Sequence, residues 1–314
     1  MDVVCFGSIV IDHRRKTDLS GASPDPLRIV DRAVDLRIGG VPILARALKA
    51  LGLEVGLMGC VGRDIAGYGL KAYLAEHVGL DVACVRHVDA PTSSSFIRLA
   101  AEQRYIEHTP GASAELTFQE GDAAFIEEHR PALLAIGYAG LLPKLDADGG
   151  HGMAALLQSI RRMGVLTALD THTVPPYAML EKAVGQADVF ICNDEESQGI
   201  TGLGTGAPAE RLSCIWSRYP ASDGVARRLL GIAMPDGVQF AYGTQEAFSN
   251  QWVPNPHFEA FVPTDLTGAG DYFRAGVYGY LVSHREAFAQ AGLDLAQLGR
   301  AGHDTACEWL CRAC

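Results

Sequence analysis

The stretch Pro263-Thr264-Asp265-Leu266-Thr267-Gly268-Ala269-Gly270-Asp271 runs directly into an apolar, helix-compatible segment from Tyr272 to Val282. Small residues immediately before a helix let its first free amide groups come close to an anion, and the helix dipole adds to the attraction. The pattern predicts an oxyanion or phosphate cradle built by Gly268, Ala269 and Gly270. Asp271 falls in the first turn of the expected helix, where an ionised carboxylate is stabilised and can take a proton from a hydroxyl nucleophile. A base beside an anion hole suits phosphoryl transfer. Taken alone, the same four residues are better accounted for as a glycine turn and a capping carboxylate, and it is their context that changes the reading.

On the N-terminal side of this stretch, short β-rich runs alternate with amphipathic helical ones. Strands are expected at Val3 to Val10, Leu53 to Val61, Ala132 to Tyr138, Leu166 to Asp170, Val189 to Cys192 and Val238 to Tyr242. Helices are expected after Gly39-Gly40, where Leu44, Leu48 and Leu51 recur at helical spacing, and at Met153 to Met163 and Asp194 to Ile200. Such alternation predicts an α/β fold with a doubly wound, mostly parallel sheet covered by helices on both faces. Two places break the rhythm. Ser93 to Leu99 followed by Arg104 to His108 reads as a hairpin, and short runs lie at Phe248 to Val253 and Phe258 to Val262. A hairpin without a core of its own has to lie across the parent domain or against another subunit, which makes a lid the economical reading. Gly202 to Asp223 reads as loop with a short helix.

Composition narrows the class. The 314 residues are 48% hydrophobic and 20% charged, ample for a large core. A formal net charge of −11 argues against wrapping nucleic acid through many phosphate contacts and favours a small-molecule partner. The apolar start, Val3 to Ile11, is followed rather than preceded by basic residues, so it reads as a buried strand and not as an export signal. No apolar run is long enough for a membrane span. With eight cysteines and no export signal, free thiols in a cytoplasmic protein are the expectation. Cys307, Cys311 and Cys314 have a spacing associated with iron–sulfur enzymes, but i, i+4 and i+7 share one helix face and helix packing is the better account. A P-loop and a G-x-G-x-x-G after the first strand are both missing, which disfavours those two nucleotide folds.

The stretch from Asp265 to Asp271 resembles the C-terminal signature D-T-x-G-A-G-D of the ribokinase-like carbohydrate kinases, the PfkB family. Gly7-Ser8-Ile9-Val10-Ile11-Asp12-His13 is similar to the family's first strand. Gly39-Gly40, a helix, and then Gly59-Cys60-Val61-Gly62-Arg63-Asp64 resemble its N-terminal signature. Arg104 to Glu115 resembles the return strand of the family's lid and the segment after it. Asn193-Asp194-Glu195-Glu196 has the form of its N-x-x-E motif. These five matches occur in order from residue 3 to about 283.

The resemblance implies one ribokinase-like domain over residues 1–314, with a small β lid from about 14–37 and 90–110 that in many relatives also pairs two subunits. It implies an ATP-dependent kinase acting on a hydroxyl of a small carbohydrate, with a nucleoside kinase or a non-catalytic sugar-binding regulator as alternatives. Asp271 would be the general base and Gly268, Ala269 and Gly270 the anion hole. Asp12, Gly39 and Gly40 would contact the substrate, with Leu44 standing where many members carry asparagine. Arg98 and Arg104 in the lid would suit an anionic substrate, or are solvated strand residues. Asn193, Glu196, Gly243 and Thr267 would serve the nucleotide, Glu196 holding Mg²⁺ through water. Asp265 would be a ligand for a monovalent cation such as K⁺. Gly243-Thr244-Gln245-Glu246-Ala247 is similar to the family's nucleotide-side loop, although Ala247 replaces a common glycine. The C-terminal run from Ala301 departs from the usual small-residue helix and glycine turn.

Overall fold

A computed structural model describes residues 1–16, 34–100, 103–172, 177, 180–204, 206–259 and 267–313. Its first strand, Val3–Gly7 (β1), is buried along its whole length. Val3 and Cys5 face one core and Val4 and Phe6 the other, as expected of a strand inside a sheet covered on both sides. The chain then forms Ile9–Lys16 (β2), Asp35–Gly40 (β3), Val41–Ala50 (α1), Val55–Gly62 (β4), Ile65–Tyr73 (α2) and Val85–Val88 (β5). Ser93–Ala100 (β6), Gln103–Thr109 (β7), Glu120–His129 (α3), Leu133–Ala139 (β8), Pro143–Arg162 (α4) and Leu166–Thr171 (β9) follow. Next come Leu180–Ala183 (α5), Val189–Asn193 (β10), Asp194–Thr201 (α6), Pro208–Arg218 (α7), Arg228–Met234 (β11), Gly237–Gly243 (β12) and Phe248–Pro254 (β13). The last elements are Ala269–Ser283 (α8), Arg285–Ala289 (α9) and Leu295–Ala313 (α10).

Nine strands pair in the order β13-β12-β11-β10-β9-β8-β1-β4-β5. Every pair is parallel except the two made by β12. The expected doubly wound sheet is therefore present, with one reversed strand that the alternation did not anticipate. A second sheet, β3-β2-β6-β7, carries the expected hairpin as β6 and β7. Its central pair, β2 with β6, is parallel, while β3 and β7 run antiparallel on the outside.

The expected single strand Val3 to Val10 is in fact two, because the chain leaves the large sheet after Gly7 and enters the small one at Ile9. A side chain at Gly7 would stand 2.5 Å from the carbonyl oxygen of Gly137, so the crossing depends on glycine. Ser8 at the junction donates a 2.9 Å hydrogen bond to Ser113. The segment expected to be mostly loop, Gly202 to Asp223, contains an 11-residue helix that packs Leu212, Ile215 and Trp216 into the core. Every described cysteine is a free thiol, and among the described residues no helix is long and apolar enough to cross a membrane.

Candidate active site

A cavity of about 780 Å³ opens between the small sheet and the carboxyl ends of the parallel strands. Thr267, Gly268, Ala269, Gly270 and Asp271 line it, as do Asp12, Gly40, Asn193 and Glu196. Nine of the residues singled out from sequence thus meet around one space. Gly268 takes a φ of 84° as the residue preceding α8, a conformation that favours glycine. Tyr272 N donates to Gly268 O at 2.9 Å, the first bond of the helix, so the amides before Tyr272 have no partner within the helix itself. A Cβ at Gly270 would meet nothing closer than Arg274 at 3.7 Å. The fold does not require glycine there, and the space a side chain would fill belongs to the cavity.

Asp271 is buried and held from two sides: the Tyr138 hydroxyl donates to Oδ2 at 3.2 Å and Arg274 Nη2 donates to Oδ1 at 3.1 Å. Arg274 also places Nε 3.0 Å from Asp170 Oδ2, and Asp170 accepts from the Tyr138 amide at 2.8 Å. Burial works against the charge on Arg274, but Asp170 and Asp271 outweigh it and hold its pKa well above the ordinary value. Burial pushes the Asp170 carboxyl up to about 6 despite the opposing pull of Arg274. Burial, with the Asp271 charge next, raises the Tyr138 hydroxyl well above its usual value, which keeps it a donor to the carboxylate.

One side of the cavity is built at the paired glycines. Gly40 has a φ of 71°, and a Cβ on it would lie 2.1 Å from Ser8 O. Val41 N donates to that same oxygen at 2.9 Å as α1 begins. A Cβ on Gly39 would stand 2.5 Å from Asp12 Oδ1, so this glycine lets a buried carboxylate rest against the backbone. Above Asp12, Val10, Ile97 and Ile106 present an apolar wall from the small sheet. The wall also carries Ser95 and His108, whose Oγ and Nδ1 are 3.1 Å apart. Burial lowers the His108 pKa, and its Nε2 is buried without a hydrogen-bond partner.

On the other side, Asn193 and Glu196 form a reciprocal capping box at the start of α6. Asn193 N donates to Glu196 Oε2 at 2.9 Å, and Glu196 N donates to Asn193 Oδ1 at 2.7 Å. Glu196 is buried at the cavity wall rather than a solvated helix-start acid. It is a hard oxygen donor suited to Mg²⁺ that is held chiefly by a nucleotide's phosphates. Among the described residues no cluster of three acidic, histidine or cysteine side chains could hold a metal unaided.

Three residues expected at the site stand elsewhere. Leu44 falls on the Val41–Leu44–Leu48 stripe that α1 turns into the core, and Ile43 is the α1 residue that lines the cavity. Arg98 lies on the opposite face of β6 from Ser95 and Ile97, where it is exposed and paired with Glu107. Gly243 ends the reversed strand β12 and pairs in register with Arg228, the first residue of β11, at the far rim of the sheet. The reversal brings the β11–β12 turn to the cavity instead, through Ala233, Met234 and Pro235. Asp265, Arg104's side chain and much of the expected 14–37 lid segment lie outside what is described.

Residues not anticipated from sequence complete the walls. Arg274, one turn after Asp271, was legible as an i, i+3 pair. Tyr138 closes an expected strand. His172, His257, Phe258 and His303 carry no local signal and are gathered only by the fold. The run from Ala301, whose composition departs from expectation, is nonetheless helical, and Gly302 packs so closely under Phe273 that a Cβ on it would stand only 2.6 Å from the ring.

No curated protein matches the chain in sequence. Among solved structures, ribokinase from Giardia lamblia superposes with a TM-score of 0.76 at 16% identity, covering 97% of this chain and 92% of that one. Fructokinase from Xylella fastidiosa with bound ATP gives 0.73 at 19%, covering 97% and 89%. Adenosine kinase from Trypanosoma brucei brucei gives 0.72 at 19%, covering 98% of each. These likenesses establish the fold. The model of the pfkB family of carbohydrate kinases matches residues 1–312, and the chain belongs to that family of phosphotransferases.

Proposed function

We propose that this pfkB-family member transfers the γ-phosphoryl group of ATP to a hydroxyl of a small carbohydrate, with Asp271 as general base. The observation that carries the reading is the meeting, in one cavity, of a buried Asp271, the Gly268–Gly270 turn at the start of α8 and the buried Asp12 carboxylate. Asp12 would hold acceptor hydroxyls against the Gly39–Gly40 backbone, which orients one hydroxyl toward Asp271. A carboxylate offers about four acceptor sites, so the bonds from Tyr138 and Arg274 leave room for a substrate hydroxyl.

In the transfer, the acceptor oxygen bonds to the γ-phosphorus as the bond to the β–γ bridging oxygen breaks, and ADP departs. The hydroxyl proton passes to Asp271 and then to solvent. The helix-start amides face the negative charge spread over the transferring phosphoryl oxygens. Bound Mg²⁺, reached by Glu196 through water, would add to that neutralisation. Met234, Pro235, Phe258 and His303 wall the other end of the cavity and are suited to the nucleotide's base. The small sheet acts as a lid whose apolar wall of Val10, Ile97 and Ile106 keeps out water that would otherwise take the phosphoryl group.

The test is substrate-dependent ADP release with Mg·ATP across sugars, sugar acids, sugar phosphates and nucleosides, with Asp271→Asn as the control. The variant is expected to lose roughly 10²–10⁴ in kcat while acceptor affinity stays within a few-fold. Turnover that survives the substitution would refute the assigned base.

A further inference from the structure

A second cavity, of about 480 Å³, adjoins the first and shares Asp12, Ile43, Thr267 and Gly268 with it. Three arginines line it, Arg14 on β2, Arg37 on β3 and Arg46 on α1; Asp12 is the one carboxylate in its lining among the described residues, and Arg37 is itself paired at 2.6 Å with Asp35, which lies opposite Arg14 in the register. Their convergence follows from the topology. Arg37 lies directly opposite Asp12 in the antiparallel register, and Arg14 is two residues along β2 on the same face. Arg46 sits one turn beyond Ile43 on α1. In a chain of net charge −11, this grouping of cations beside the acceptor site stands apart from the general balance.

Arg46 carries the argument. Its guanidinium lies 4.8 Å over the Trp309 ring. Trp309 is itself stacked on Tyr272 at 4.4 Å and donates from Nε1 to Thr267 O at 3.2 Å. The cation is thus positioned by aromatic packing, with no carboxylate among the described residues paired to it, and its Nε is buried without a hydrogen-bond partner. A buried donor left unmade is costly, and a guanidinium fork matches a carboxylate or phosphate with two parallel bonds. None of Met234, Pro235, Phe258 or His303, the walls at the opposite end of the large cavity, reaches this space. Its ligand therefore belongs to the acceptor side.

We propose that the acceptor carries an anionic group, a carboxylate or a phosphate, which this arginine-lined cavity holds while Asp12 and Asp271 engage its hydroxyls. The proposal rests on the phosphotransferase reading for what happens to the bound molecule. It names the class of acceptor as a sugar acid or a sugar phosphate, and it places the selectivity in Arg46 and its neighbours rather than in Arg98 of the hairpin.

The experiment compares matched acceptors with Mg·ATP: fructose with fructose 6-phosphate, glucose with gluconate, and adenosine beside them, using wild type, Arg46→Met and Arg46→Lys. Methionine keeps an apolar stem over Trp309 and removes the charge. Wild type is expected to favour an anionic acceptor over its neutral parent by roughly tenfold or more in kcat/KM, the scale of one charge-assisted hydrogen bond. Arg46→Met should raise KM for that acceptor by about the same factor with kcat within a few-fold, and Arg46→Lys should restore part of it. Whether phosphate or carboxylate is preferred is read from the two pairs. Neutral sugars or adenosine used at least as well as the anions, or equal KM losses for both members of a pair, would overturn the proposal and leave the kinase reading standing. Binding separates the two further. With the nucleotide site saturated by AMP-PNP, calorimetry should detect inorganic phosphate binding to wild type but not to Arg46→Met. Arg46-dependent binding without turnover on any acceptor would support the cavity and count against the kinase, whereas phosphate binding that ignores Arg46 or fails in wild type would sink the cavity.

Discussion

Arg274 Nη2 donates to Asp271 Oδ1 at 3.1 Å from one helical turn further along α8. The same guanidinium places Nε 3.0 Å from Asp170 Oδ2, so one cation answers two buried carboxylates. Removing it would leave like charges facing each other without compensation, a loss on the order of 3–5 kcal/mol. Arg274→Met should accordingly unfold at lower urea with little change in slope. Asp170→Asn combined with it should recover part of the loss, because the double variant buries one unpaired charge fewer. Strictly additive losses would show that the three groups do not act as one network.

The two adjacent glycines should fail in different ways. At Gly39 a methyl group meets only the end of a side chain, the Asp12 carboxylate, which can swing aside. Gly39→Ala should keep its stability within about 1 kcal/mol and raise KM for the acceptor by an order of magnitude or so, with KM for ATP unmoved. At Gly40 the methyl group meets the Ser8 carbonyl at 2.1 Å with φ at 71°, and backbone cannot move as cheaply. Gly40→Ala should lose about 2 kcal/mol or more in unfolding experiments. Equal acceptor KM effects at matched stability would remove the special link between Gly39 and Asp12.

Much of this was written in local sequence. The buried strands, the Gly268–Asp271 turn into α8 and the Asn193–Glu196 cap all announce themselves, because each depends on a short stretch whose period or turn chemistry is decided nearby. What stayed hidden depends on partners distant in the chain. Gly243 looked like a site glycine because the reversal of β12 is set by its pairing with β11 and not by its own residues. Leu44 was assigned by position in a motif and Arg98 by its place in the lid hairpin, whereas the helix stripe and the strand alternation that turn them away depend on where α1 begins and which face of β6 is covered. Asp170 and Arg274 are 104 residues apart, so the network that holds Asp271 has no signature at the level of one segment.

The capping box at α6 allows structure and chemistry to be separated. Glu196→Gln retains an oxygen to accept from the Asn193 amide, so stability should change by less than about 1 kcal/mol. The negative charge is lost, and with it the contact proposed to reach Mg²⁺, so the Mg²⁺ concentration giving half-maximal turnover should rise severalfold or more. Asn193→Ala removes the acceptor for Glu196 N and should cost about 1 kcal/mol of stability. A Glu196→Gln enzyme with an unchanged Mg²⁺ requirement would reduce Glu196 to a helix cap.

His303 sets a pH dependence whose sign can be worked out. Burial, with His257 next and against the pull of Asp304 and Asp236, lowers its pKa from 6.5 to about 4. The unfolded chain therefore takes up this proton from pH 6.5 downward while the folded one does not, and stability is lost as pH falls toward 4. Asp170 works the other way: its folded pKa of about 6 lies above the ordinary 3.8, so the fold takes up that proton first and gains stability over the same descent. The two contributions oppose each other in wild type. His303→Asn should remove only the loss, making the change in unfolding free energy between pH 7 and pH 5 more favourable than in wild type by about 2 kcal/mol. Parallel stability curves for the two proteins across that interval would mean that His303 takes up its proton in the fold at the same pH as in the unfolded chain.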